Sequence, residues 1–376
     1  MIKRSTFLFL FNFILSSFIL SNSCVSAGRD LPGGPGRLAF LDVFNMGGNW
    51  NRSYATIEPQ QIHMTWLSEG DYFRVQFVTT DKVKETQLQY WPLHKKTKRN
   101  IESITISGEE SNPFVDGGIS QRLMHLHNLK SNKLSKSTIY EYKVGSVQDN
   151  SNTIFWSPIY QFHTPDSSPG FKFIAAADMG VVNAVSMPIL KELAKQHTFD
   201  FMTFMGDQAY DLADMDGLKG DEYMNFAQAL YARLPLLTTP GNHENAYNFS
   251  HYINRFDLLP YQESKSPSPL FYSFNYKSLH LVSISTEPFF EEDETLAVQQ
   301  VQTMIHWMDQ DLKNHQGKWV IVMGHRPLYC SPKNEKDCTY QADTLRNGIV
   351  SKQDNVTRLT QGLEEVFERH KIDLYL

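Results

Sequence analysis

The sequence predicts two domains, an all-β sandwich followed by a layered α/β domain, and three observations carry that prediction. At 376 residues the chain exceeds one ordinary hydrophobic core. Between Pro59 and Pro165 short runs with period-two alternation recur between polar turns. After the linker Thr164-Pro165-Asp166-Ser167-Ser168-Pro169-Gly170 the pattern changes to apolar strands alternating with helical stretches.

At the amino terminus, residues 1–27 have the form of a secretory signal peptide. Lys3 and Arg4 precede the apolar stretch Phe7 to Leu20, and Val25-Ser26-Ala27 supplies small residues for cleavage. The stretch is short for a bilayer span, and a signal anchor is the alternative reading. A secreted protein, or one held in the lysosome or elsewhere on the secretory pathway, is expected. The net charge is −6 with no basic runs, which argues against a nucleic-acid or membrane-surface partner. Cleavage removes Cys24 and leaves Cys330 and Cys338, an even count in an oxidising compartment, so a disulfide is expected between them. Asn51, Asn248 and Asn355 each open an Asn-x-Ser/Thr tripeptide and are candidate glycosylation sites. Residues 28–58 are rich in Gly, Pro and Asn without a period and form a lead-in segment.

Residues 59–165 contain alternating runs at Ile62–Trp66, Phe73–Phe77, Leu88–Trp91, Ile101–Ile106, Leu123–Leu126, Tyr140–Val144 and Tyr160–His163. Runs of this length and spacing predict a sandwich of about seven strands, serving as a spacer or docking domain. His125 and His127 have no acidic or cysteine partner nearby, and an ordinary strand face is expected there rather than a metal site.

Residues 171–376 place strands at Phe171–Ala177, Phe201–Met205, Leu236–Thr239, Leu279–Ser285, Trp319–Met323 and Ile372–Leu376. Helical stretches fall at Pro188–His197, Tyr223–Ala232 and Leu363–His370. A further amphipathic helix puts Val298, Val301, Met304, Ile305, Met308 and Leu312 on one face. Four of the strands end in a polar residue: Asp178, Asp207, Asn242 and His325. Ligands of open α/β sheets bind at the carboxyl edge, so these four ends are expected to meet. Tyr210 follows Asp207 by three residues and faces the same place. Such oxygen and nitrogen donors suit Fe, Mn or Zn. Two such ions about 4 Å apart could hold a phosphate oxygen and an attacking hydroxide in line.

In order and spacing, Asp178-Met179-Gly180, Gly206-Asp207-Gln208-Ala209-Tyr210, Gly241-Asn242-His243-Glu244 and Val322-Met323-Gly324-His325 resemble four of the five signature blocks of the purple acid phosphatases, members of the calcineurin-like metallophosphoesterases. The first domain is similar to that family's fibronectin-III-like amino-terminal domain. The stretch from Gly324 to Ser331, together with Asn248-Phe249-Ser250, is most similar to the animal branch of the long-form enzymes. The resemblance implies a secreted acid phosphatase that hydrolyses small phosphate monoesters by attack of a metal-bound hydroxide. Asp178 and Tyr210 would bind a ferric ion and Asp207 would bridge two ions. Asn242 and His325 would bind a divalent Zn, Fe or Mn, while His243 contacts phosphate and assists the leaving group. The family's Gly-His-x-His block is expected after the last strand, where this sequence reads Asp373-Leu374-Tyr375-Leu376, so the chain is expected to be truncated before that block. Alternatives on the same fold are a nucleotide or phosphodiester hydrolase, or an inactive secreted binding protein. Asp214-Met215-Asp216-Gly217 with Asp221-Glu222 lacks calcium-loop spacing and is expected to be an acidic solvated loop. Glu287 to Glu294 is expected to be a solvated loop near the substrate entrance.

Overall fold

The computed structural model describes residues 52–376 except 94–102, 109–110, 150, 152, 183, 316 and 333–334. Residues 1–27, where a signal peptide is expected, Asn51 and most of the lead-in segment lie outside the described residues.

The sandwich comprises β1 (Gln60–Leu67), β2 (Tyr72–Thr79), β3 (Glu85–Pro92), β4 (Ile104–Gly108), β5 (Asn112–Val115), β6 (Leu123–Lys130), β7 (Ile139–Val147), β8 (Ile154–Trp156) and β9 (Tyr160–His163). One sheet runs β1-β2-β6-β5 and the other β4-β3-β7-β8, with β9 also on β7, and every pairing is antiparallel. Alternation puts Trp66, Phe73, Tyr90, Tyr142 and Phe162 between the sheets, with the Phe73 and Phe162 rings 4.7 Å apart. The strands beyond the seven expected are β5 and β8. Each lies at a sheet edge, they are four and three residues long, and β5 contains Pro113, so neither carries a readable period.

In the α/β domain β10 (Phe173–Ala176), β11 (Phe201–Met205) and β12 (Leu236–Thr239) form one parallel sheet. In the second sheet β13 (Tyr272–Tyr276) pairs antiparallel with β14 (Leu279–Ser283), followed by β15 (Trp319–Met323) and β16 (Leu374–Tyr375) in parallel. The two sheets are tied by hydroxyls. Tyr272 of β13 donates to the Thr238 carbonyl of β12 at 2.9 Å, and Thr239 donates to the Ile284 carbonyl at 2.6 Å. The helices are α1 (Met187–Lys195), α2 (Leu218–Tyr231), α3 (Ala246–Arg255), α4 (Glu294–Asn314), α5 (Lys336–Asn347) and α6 (Leu363–His370). Helix α4 is capped by Asp293, whose side chain accepts from the Thr295 and Leu296 N–H groups. Its apolar face, from Val301 to Leu312, packs on Val282, Val320 and Val322 of the second sheet. Among the described residues no helix is long and apolar enough to cross a membrane.

Helix α2 lies against β1 of the sandwich, and the junction is polar. Gln61 and Ile62 N–H donate to Asn225 Oδ1 and Gln228 Oε1 at 3.0 and 2.9 Å, while Thr65 donates to the Leu236 carbonyl at 2.8 Å. The sandwich is therefore docked along one whole strand, and the exposed edge of β1 is covered.

Candidate metal centre

The four polar strand ends meet. Asp178 follows β10 and accepts a hydrogen bond from Tyr210 Oη at 3.1 Å. Asp207 follows β11 and is 4% exposed. Its Oδ1 accepts from the His243 N–H at 3.1 Å and lies 3.4 Å from His325 Nε2. His325, after β15, also brings Nε2 within 3.2 Å of Asn242 Oδ1, while its Nδ1 is fixed on the Met205 carbonyl at 2.9 Å. That carbonyl orients the ring and leaves Nε2 pointing at the other donors.

Close approach of the loops requires two glycines. Gly206 has φ +78, and a Cβ there would lie 2.6 Å from His325 Nδ1 and 2.7 Å from the Gly241 Cα; a Cβ on Gly241 would overlap Asp207 Oδ1. Beneath them Glu244 is 1% exposed and works as a three-point anchor. Its Oε2 accepts from the Asp207 and Gly241 N–H groups, both at 2.8 Å, and its Oε1 from the Gln208 N–H at 2.9 Å. Burial, with the Asp207 charge adding to it, pushes the Glu244 carboxyl up to about 7 despite these donors.

Burial alone would raise the Asp207 carboxyl, but His325 and the His243 N–H outweigh it and hold the group below its ordinary value. Burial would likewise lower His325, yet its bond to Asp207 and the Met205 carbonyl push it up to about 9. A cation bound here would take the place of the proton that Asp207 and His325 share. Burial and the Asp178 carboxylate raise the Tyr210 phenol, so a phenolate at this position requires a strong Lewis acid beside it. The donor set fits a metal. One ligand atom each from Asp178, Asp207 and His325 lies within 4.8 Å of the others, the one such group among the described residues.

Two residues of the site had no role assigned from sequence. Asp211 Oδ1 lies 2.7 Å from His243 Nδ1, and the Tyr210 ring packs edge-on against the His243 ring with centroids 4.8 Å apart. Glu244 is the other, and its place directly after Asn242 and His243 in the Gly241-Asn242-His243-Glu244 block is the signal that could have found it.

Two solvated-loop expectations change in the folded chain. Asp216 and Asp221 are engaged rather than solvated, by Ser120 at 2.5 Å and by Arg122 at 2.6 Å. Glu287 is buried in a two-pronged ion pair with Arg326, whose guanidinium stacks over Phe290 at 4.3 Å. His370 ends α6 and pairs with Asp309 at 2.6 Å. Among the described residues, His125 and His127 on β6 have the Ser111 and Thr79 hydroxyls as side-chain hydrogen-bond partners. Cys330 and Cys338 are bonded, with Cα atoms 5.8 Å apart, and fix the loop after His325 to the start of α5.

Comparison with known proteins agrees with this arrangement. Residues 171–376 match the calcineurin-like phosphoesterase family and residues 59–164 match the purple acid phosphatase N-terminal domain. Human acid phosphatase type 7 is 30% identical over 354 residues, covering 92% of this chain and 75% of that protein. Purple acid phosphatase 21 of Arabidopsis thaliana is 27% identical over 288 residues, covering 73% of this chain and 58% of that one. The structure of a purple acid phosphatase from yellow lupin (Lupinus luteus) seeds superposes with a TM-score of 0.59 at 14% identity, over 85% of this chain and 58% of the lupin chain. The chain belongs to the purple acid phosphatases, a family of calcineurin-like phosphoesterases whose members imply a binuclear metal centre and act on phosphate esters.

Proposed function

We propose that this chain is a secreted acid phosphatase that hydrolyses phosphate monoesters at a ferric and divalent metal pair. Asp178 and Tyr210 would hold the ferric ion, Asn242 and His325 would hold Zn, Fe or Mn, and Asp207 would serve both. The observation that carries this is the meeting of Asp178, Asp207 and His325 ligand atoms within 4.8 Å, at the ends of three different strands. When bound, the ions supply an activated water and neutralise charge on the phosphoryl oxygens. The Gly-His-x-His block expected from the family resemblance would follow β16. The carboxyl end of that strand lies beside the site, where the Gly324 N–H donates to the Leu376 carbonyl at 3.0 Å.

The remaining chemistry belongs to protein side chains. Asp211 takes the His243 Nδ1 proton in a hydrogen bond, which sets the tautomer and directs Nε2 toward Asp207 Oδ2, 3.8 Å away. With Nδ1–H committed to Asp211, Nε2 carries a proton only when the ring is the imidazolium, and in that form Nε2 would give a proton or hydrogen bond to the leaving oxygen of the substrate and return to the neutral ring. Arg326 is held by Glu287 and does not compete for phosphate. Exposed Asn248 and Asn355 are the glycosylation sites among the described residues, and the bonded Cys330 and Cys338 suit an oxidising compartment.

The test compares metal content and p-nitrophenyl phosphate hydrolysis in the wild-type chain, Asp207→Asn and His243→Asn, each carried through a Gly-His-x-His block. Wild type is expected to hold two ions and turn over, Asp207→Asn to lose both properties, and His243→Asn to keep the ions while activity falls about a hundredfold or more. Undiminished metal content and hydrolysis in Asp207→Asn would sink the proposal.

A further inference from the structure

A seven-residue turn of the sandwich, Asp116 to Arg122 between β5 and β6, reaches across to two of the four strand-end loops. Its first contact is with the loop that leaves the site at Tyr210. Ser120 Oγ donates to Asp216 Oδ2 at 2.5 Å, Arg122 Nε donates to the Asp216 carbonyl at 3.0 Å, and Arg122 Nη1 pairs with Asp221 at 2.6 Å. The second is with α3, the helix that follows Asn242 and His243. Asp116, 1% exposed, places Oδ1 2.6 Å from His251 Nε2, and its Oδ2 accepts from the Gly118 N–H at 2.7 Å, which fixes the turn. Gly117 lies so close to the Tyr247 ring that a Cβ there would stand 2.4 Å from its Cγ. Arg255 on the same helix closes the circuit. It donates to the Gly217 carbonyl at 2.9 Å, pairs with Asp221 at 2.9 Å and donates to Gln61 Oε1 of β1 at 2.7 Å.

The loop so held is strained. Tyr210, Met215, Asp216 and Gly217 all have positive φ, at 49, 56, 55 and 77°, and three of these carry a side chain. Residues in that region persist where surrounding contacts over-determine them. Asp216 and Gly217 are held from outside the loop by the sandwich turn and by Arg255, and from within it by the Gly217 N–H on the Ala213 carbonyl at 3.0 Å; at the other end Tyr210 bonds Asp178 and Asp211 lies on His243.

We infer that the Asp116–Arg122 turn is a positioning element of the site, and that Ser120 and Arg122, acting through Asp216, hold in place the loop that presents Tyr210 and Asp211. The amino-terminal domain thus shapes the centre as well as docking beside it. The inference rests on the preceding reading for its catalytic meaning, but its test needs no metal: unchanged loop dynamics sink this inference, whereas undiminished metal content and hydrolysis in Asp207→Asn sink that reading.

The test is peptide-resolved amide hydrogen exchange on the full chain for wild type, Ser120→Ala, Ser120→Thr and Thr65→Val. Ser120 is exposed, so its variants fold. Ser120→Ala is expected to speed exchange across 211–218 at least fivefold, and Ser120→Thr, which keeps the hydroxyl donor, to return it to within twofold of wild type. Thr65→Val removes a docking bond remote from the turn and is expected to leave 211–218 within twofold. Unchanged exchange in Ser120→Ala, failure of Ser120→Thr to restore it, or an equal rise in Thr65→Val would each overturn the inference.

Discussion

At the strand ends of the α/β domain, His325 faces the Asp207 carboxylate. In the sandwich, His127 faces the Thr79 hydroxyl and the Phe77 ring, and its Nδ1 has no hydrogen-bond partner among the described residues. Both rings are largely buried, yet they are driven in opposite directions. Asp207 raises His325 to about 9 against its burial, whereas burial, aided by neighbouring His125, lowers His127 to about 3. The difference lies in what accompanies the ring. A carboxylate and an amide oxygen beside an imidazole can exchange their shared proton for a cation, and a lone hydroxyl cannot. Burial of a histidine is therefore no sign of a metal site, while burial against anionic oxygen at a sheet edge is one.

Breaking the anionic framework should have the largest effect. Glu244→Gln keeps the size of the side chain but turns an N–H donor toward backbone N–H groups that now donate to Glu244. We expect a loss of about 1–3 kcal/mol in stability, and a fall of about ten- to a hundredfold in metal affinity through the displaced Asp207. Thermal denaturation and metal titration check both, and unchanged metal affinity would show that Asp207 needs no anchor.

A smaller effect belongs to the sandwich. The folded-state value of His127, about 3, lies below its ordinary 6.5, so the unfolded chain takes up the proton first as pH falls. Its contribution is fully present above pH 6.5 and is lost as pH falls toward 3. The slope is at most about 1.4 kcal/mol per pH unit. Urea unfolding at pH 7 and pH 4.5 should show a flatter dependence for His127→Gln than for wild type; identical dependences would place the acid sensitivity elsewhere. Smallest of all, His125→Gln should leave metal content unchanged and stability within about 1 kcal/mol, since it removes one 3.2 Å contact with Ser111. A drop in metal content would make the sandwich histidines ligands after all.

Much of this was legible in the sequence because parallel strands announce themselves as short apolar runs, and the residue that follows each run is forced to the ligand-binding edge. Asp178, Asp207, Asn242 and His325 are visible for that reason. Asp211 and the network around Asp216 and Asp221 are not, because their partners, His243, Ser120, Arg122 and Arg255, lie far away along the chain. Strand β13 alternates Tyr272, Phe274 and Tyr276 with Ser273 and Asn275, a signal present but not assigned. Helix α3 buries His251, Tyr252 and Arg255, and α5 buries only Ala342 and Leu345, so in neither does a set of aliphatic residues mark the buried face.

Tyr210 offers the most direct test of the centre, because its phenol is 39% exposed and touches Asp178, so the change to Phe removes one donor and little packing. The measurement is the visible absorption spectrum of the iron-loaded protein, carried through the Gly-His-x-His block, for wild type and Tyr210→Phe. The account predicts a visible band in wild type, from the phenolate on ferric iron, that Tyr210→Phe abolishes while the protein stays folded. A colourless wild type, or a band that survives in Tyr210→Phe, would contradict it.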